Sequence, residues 1–182
     1  MCSAEVGPVG RQAIPLSAIG IEVDILDDGS LDQREDLLGR LDVVVASAHS
    51  QLRMPADLDD RAHDYGGFEP ARRRAGHCTG RIIVGRGRPE SQFDAGRVFG
   101  ACRDHGVAVE INCRPERQDP PDRLLRVAAA RGCQFAIDTD AHAPGQLDWI
   151  GSGCARAESF GIEPASVINT RPAAAVSART GG

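Results

Sequence analysis

Along the chain, apolar runs alternate with segments patterned for helices. GIEVDIL (20 to 26) is rich in β-branched residues and is followed by DDGS, which carries the residues of a tight turn, so a strand is expected there. LDQREDLLGR places leucines at 31, 37 and 38, the mark of a short helix. LDVVVASAHS (41 to 50) is a continuous apolar run ending in polar residues, the pattern of a parallel strand covered on both faces. FDAGRVFGACRDHG (93 to 106) sets Phe93, Val98, Phe99 and Cys102 near one helical face and stops at Gly106. VAVEIN (107 to 112) is the next strand. PPDRLLRVAAARG (120 to 132) is a helix opened by prolines and closed by Gly132, and CQFAIDTDAH (133 to 142) is strand-like again. SGCARAESFG and a stretch from Pro172 read as helices around SVINT. Four or more βα units predict a parallel α/β architecture, either a barrel or an open sheet. The exception is 54 to 75, MPADLDDRAHDYGGFEPARRRA, which has few apolar residues and no period and is expected to be a long loop.

Composition changes this picture little. The chain has 182 residues, 41% of them hydrophobic, enough for one domain that holds a core without disulfides. Five Phe, one Tyr and one Trp leave the packing to aliphatic residues. All 21 basic residues are Arg, and 26 acids bring the net charge to -5, so no broad nucleic-acid or membrane affinity is expected. The N-terminus lacks the charged start and apolar run of a secretory signal, and no CxxC pair accompanies the six cysteines. A cytoplasmic protein with reduced thiols is the expectation.

In parallel α/β folds, sites lie at the carboxyl ends of strands. Here those ends carry His49, then Glu110 and Asn112, then Asp138, Asp140 and His142, with Glu22 inside the first apolar run and His77 after the irregular stretch. In DTDAH, Asp140 and His142 are two apart and point the same way from an extended chain, so both can reach one metal ion. The competing reading is a strand-to-loop turn whose acids cap the next helix. Glu22 either needs a cationic partner inside its apolar run or alternates outward to solvent. For Glu110 a structural salt bridge to a neighbouring Arg is the expectation. His49 and His77 sit among small polar residues, where a ring nitrogen either binds a metal or is simply hydrogen-bonded. His105 reads as a helix cap, His63 as exposed, and Cys78 as a lone thiol poorly suited to clamp zinc. Arg81, Arg86, Arg88, Arg114 and Arg117 follow strand ends and suit either a phosphate or solvent.

Taken together, GIEVDILDDGSLD, VVVASAHS, GHCTGR, VEINCRPERQDPP and IDTDAHAPGQLD resemble the polymerase and histidinol phosphatase (PHP) family of metallo-phosphoesterases. The likeness is to its stand-alone bacterial members and to the module joined to X-family DNA polymerases. It runs from about residue 20 to 172. The resemblance implies an α/β fold, an incomplete and distorted (β/α)7 barrel, in which divalent zinc, manganese or iron is held by Glu22, His49, His77, Asp140 and His142. It implies hydrolysis of a phosphate mono- or diester by metal-activated water, with Arg81, Arg114 and Arg117 on the phosphate. The partner would be a phosphorylated small molecule or a nucleic-acid 3' end.

Two departures accompany the likeness. Residues 1 to 19 do not match, and the His-x-His strand and two upstream histidines that open the family are missing before Glu22. EPARRRA stands where members carry an apolar strand. Both departures read as truncation or a shifted frame, and a wrongly assigned start explains the first equally well. The domain expectation is an unmatched segment over 1 to 19 and a partial PHP domain over 20 to 182. The alternatives are a non-catalytic remnant that binds a metal or a partner, and an unrelated hydrolase of the amidohydrolase type.

Overall fold

In the computed structural model, the described residues are 19–26, 30–47 and 73–172. Five strands run in chain order: β1 (Gly20–Asp24), β2 (Val43–Ser47), β3 (Arg73–Ala75), β4 (Ala108–Asn112) and β5 (Phe135–Asp138). They form one sheet in the order β1-β2-β3-β4-β5, each pair parallel. Among the described residues four α-helices accompany them: α1 (Glu35–Leu38), α2 (Ala95–Asp104), α3 (Asp122–Ala130) and α4 (Ile150–Ser159). The fold is therefore α/β with a parallel sheet. Among the described residues, β1 and β5 are not paired with each other. No described helix is long and apolar enough to cross a membrane.

The strands sort their side chains by parity, because neighbours in register present the same face. Val23 pairs with Ala46, Val44 with Arg73, Ala75 with Val109, and Val109 with Phe135. The face that holds Val23, Val44, Ala46, Ala75, Val109, Ile111, Phe135 and Ile137 packs against Phe99 and Cys102 of α2, Leu124, Leu125 and Ala128 of α3, and Ala157 of α4. This aliphatic layer is the core, and each side chain of Leu or Ile size fully buried there contributes roughly 1.5–3 kcal/mol.

The other face is different. Glu22 is in register with Val45, Val45 with Arg74, Arg74 with Ala108, Glu110 with Ala136, and Asn112 with Asp138. Asp24 and Ser47 are paired on this side as well. It carries small residues at the amino ends of β4 and β5, where Ala108 and Ala136 pack on Ile168, and polar ones toward the carboxyl ends. β2 has apolar residues on both sides, Val44 and Ala46 toward the core and Val43 and Val45 on the second face, whereas its neighbours put polar residues there. Period-2 alternation places every polar residue of β1, β4 and β5 on one face.

The expected loop at 54 to 75 is corrected at its end, since Arg73–Ala75 is the central strand β3. Backbone pairing with β2 and β4 on both sides accounts for it. Burial lowers the pKa of Arg74, and the nearby charges of Asp138 and Glu110 oppose that shift. The remainder of that stretch, including His63, and the helix expected after Pro172 lie outside the described residues.

The helix boundaries follow their signals. Asp94 accepts the backbone N–H of Arg97 at 3.0 Å and caps α2. His105 is its C-cap, followed by Gly106 at φ 66°, a conformation glycine adopts without strain. SVINT becomes a 3-10 turn, Ile168–Thr170, that seals the edge of β5. The Asn169 side chain accepts Ile137 N–H at 2.8 Å and donates to Ile137 O at 3.0 Å. It thereby satisfies groups that would otherwise invite another strand.

Candidate functional site

The polar face, read toward the carboxyl ends of its strands, becomes a cluster of charged groups. Glu22 of β1 accepts the Ser47 hydroxyl at 2.8 Å and lies 3.1 Å from His77 Nε2, in the turn directly after β3. His77 is buried, its side chain 2% exposed, whereas that of Glu22 is 41% exposed. Burial disfavours the imidazolium, but the hydrogen bond it donates to Glu22 and the charge of Glu110 outweigh burial and the opposing Arg117, so the His77 pKa ends above its ordinary value.

Gly76 makes this approach possible. A Cβ there would stand 2.1 Å from Ser47 Oγ, 2.8 Å from Val45 Cγ1 and 3.3 Å from Glu110 Oε2. Gly76→Ala is expected to cost about 1–3 kcal/mol through overpacking and to turn the Ser47 hydroxyl away from Glu22. A denaturant titration and a pH titration of His77 by NMR would register the two effects.

Glu110 on β4 is wholly buried. Its Oε1 accepts Asn112 Nδ2 at 2.7 Å, and Asn112 Oδ1 accepts the backbone N–H of Arg114 at 3.0 Å. Burial raises its pKa to about 8, with the Asp138 charge adding to the shift and His77 opposing it. The charge of Glu110 acts on Arg74, and the side-chain hydrogen bond that Glu110 accepts comes from Asn112. A carboxyl with a folded pKa above its unfolded value supplies stability that is full below the unfolded value and lost as pH rises to about 8. This group alone is expected to destabilise the fold by up to roughly 3 kcal/mol between pH 6 and pH 9. Glu110→Gln, which preserves the acceptor for Asn112, should flatten that slope in melting curves taken across the range.

The β4–α3 loop brings arginines to the same end. Arg117 Nε lies 3.3 Å and Arg114 Nη1 3.4 Å from Asp140 Oδ2, and Arg114 Nη1 lies 3.2 Å from His142 Nδ1. The chain at DTDAH is not extended, contrary to the expectation from its spacing. Asp140 has φ 47°, its N–H donates to Asp138 Oδ1 at 2.7 Å, and its carbonyl oxygen lies 2.8 Å from His142 Nδ1. The two side chains meet through a turn rather than through strand alternation. Arg117 links the halves of the site, because it pairs with Asp140 while its charge acts on His77.

Arg81 is engaged elsewhere, its Nε donating to Arg117 O at 2.8 Å and its Nη2 to Gln118 O at 2.5 Å. This ties the loop that bears His77 to the loop that bears Arg117. Asp119 makes the same tie from within. Its carboxylate accepts Thr79 Oγ1 at 2.6 Å, Thr79 N–H at 3.1 Å and Cys78 Sγ at 3.5 Å. Burial, followed by the Asp119 charge, pushes the Cys78 thiol well up, which holds it protonated and unsuited to bind a metal. The five described cysteines are free.

Of the five metal ligands expected, the structure brings Glu22 to His77 and Asp140 to His142. His49 lies outside the described residues. Among the described residues, no three His, Cys, Asp or Glu side chains converge to hold one ion. Asn112 was expected at a strand end but without a partner, whereas Arg74, Ser47 and Asp119 carried no expectation, and nothing in RQDPP marks Asp119 as a buried carboxylate.

No family model matches the chain. It is 33% identical over 152 residues to the DNA polymerase/3'-5' exonuclease PolX of Bacillus subtilis (strain 168), a match that covers 84% of this chain and 26% of that protein. It is 27% identical over 158 residues to a probable phosphatase of Thermoanaerobacter sp. (strain X514), covering 83% and 62%. A probable phosphatase of Caldicellulosiruptor saccharolyticus is 29% identical over 129 residues, covering 68% and 52%. The chain thus spans about a quarter of the polymerase and about three-fifths of the first of these phosphatases. By name, these relatives point to a phosphatase or phosphoesterase.

Proposed function

We propose that the chain carries a PHP-type, metal-dependent phosphoesterase site in an incomplete barrel. One observation carries the reading: the Glu22–His77 contact at the carboxyl end of the sheet, joined through Arg117 to Asp140. The names of the relatives, a 3'-5' exonuclease and probable phosphatases, support the same chemistry.

The donor types fit a divalent ion of the zinc, manganese or iron kind, for which imidazole and carboxylate are suitable ligands. Glu22 and His77 would hold it, with Asp140 and His142 as the second pair and His49 as a further imidazole. Such an ion supplies a water whose pKa is lowered toward neutrality. The remaining work falls to the chain. His77 and Glu22 share a proton that must leave before both can act as ligands, so metal uptake is expected to weaken at low pH. Arg114 and Arg117 exchange Asp140 for the phosphate oxygens and offset the charge that develops on them. Arg81, occupied by backbone carbonyls, positions Arg117 rather than touching the phosphate.

A second reading is favoured by both arginines resting on one Asp140 oxygen, and it takes the chain as a non-catalytic remnant that binds a metal or a partner. Metal analysis of the purified chain together with hydrolysis of bis(p-nitrophenyl) phosphate and p-nitrophenyl phosphate separates the two. Metal with turnover supports the phosphoesterase, metal without turnover supports the remnant, and the absence of both overturns the metal site.

A further inference from the structure

We infer that Trp149 is the residue that selects the substrate of this site, by stacking on a planar base next to the phosphate, so that the ligand is a nucleotide rather than an aliphatic phosphoester. The inference rests on the phosphoesterase reading and adds to it the part of the substrate away from phosphorus. Trp149 closes the 3-10 helix Pro144–Trp149 and stands at the start of α4, a few residues beyond His142. The Arg114 guanidinium lies over its ring, 5.9 Å from the centroid, and the same group reaches Asp140 and His142. An arginine placed to hold phosphate is thus also the neighbour of the only tryptophan in the chain.

At 5.9 Å the guanidinium is at the outer reach of a cation–π contact, so it does not fill the ring face at stacking distance. A phosphate that draws Arg114 toward itself would uncover the indole for a flat partner. The surroundings suit one. Trp149 is half-buried, packed against the core on its inner side, and its chain neighbours Leu147 and Ile150 are 59% and 42% exposed. The platform is also held in place, since Ser152 Oγ donates to Trp149 O at 2.8 Å and lies 3.4 Å from Cys113 O at the end of β4. Every base has a π-face, so stacking on such a ring tolerates any sequence and gains several-fold to about 100-fold in affinity for each base.

Because Trp149 is the sole tryptophan, its own fluorescence reports the contact without requiring turnover. Thymidine 5'-monophosphate should quench it saturably and bind about tenfold more tightly than glycerol 3-phosphate by calorimetry. Trp149→Phe should keep that preference, Trp149→Ala should abolish it so that the nucleotide and glycerol 3-phosphate bind alike, and Arg114→Ala should weaken both of them and inorganic phosphate. Equal affinity for the nucleotide and glycerol 3-phosphate, or a preference that survives Trp149→Ala, overturns the inference and leaves the phosphoesterase reading standing. No binding of any phosphate, inorganic phosphate included, overturns both.

Discussion

Glu22→Gln is expected to lower phosphoester hydrolysis by roughly 100-fold or more, at or beyond the upper end of what even an indirect partner of a metal ligand costs, while leaving the fold intact. The carboxylate is 41% exposed and glutamine keeps its shape, so little packing is lost. What disappears is the negative charge. That charge and its hydrogen bond help to hold the His77 pKa above its ordinary value, and the carboxylate is one of the two donors that meet at 3.1 Å. Without it His77 should titrate lower and metal uptake should fall. Metal content, hydrolysis of bis(p-nitrophenyl) phosphate and a melting curve, measured on the same preparation, decide the matter. Wild-type turnover and metal content in the variant would remove Glu22 from the site.

Asp119→Ala is expected to be the most damaging single change to stability. The side chain is 0% exposed and accepts both the amide and the hydroxyl of Thr79. Removing it strands two buried donors at about 1–3 kcal/mol each, for a total of roughly 2–6 kcal/mol. In a domain of this size that corresponds to a fall in Tm of roughly 4–24 °C. Asp119→Asn keeps an acceptor and should lose less than half as much. The damage should also reach the site, because Asp119 and Arg81 tie the loop of His77 to the loop of Arg117. Denaturant unfolding of both variants measures the first effect and phosphate binding by calorimetry the second. A loss under 1 kcal/mol for the alanine variant would mean that the clamp is unimportant.

Much of this molecule is legible in its sequence. Apolar runs bounded by turn residues located β1, β2, β4 and β5, and Gly106 and Gly132 located the ends of α2 and α3, because burial and backbone strain act over a few residues at a time. The candidate residues Glu22, His77, Arg114, Arg117, Asp140 and His142 were legible as residue types at strand ends. Their partners were not. β3 was hidden because a three-residue central strand is held by hydrogen bonds from both neighbours, and its own composition, RRA, argues against a strand.

The sequence by itself determined the alternation of strands and helices and the chemical kinds of group placed at the carboxyl ends, since both depend on local pattern. Only the tertiary structure decided that Glu22 faces His77, that Arg117 pairs with Asp140 while its charge acts on His77, that Arg81 serves backbone carbonyls, and that burial raises the pKa of Glu110 to about 8. The reason is physical. Contacts of 3 Å between residues tens of positions apart, and the loss of water around them, are fixed by sheet register and loop packing, and the local pattern of the chain does not encode either one.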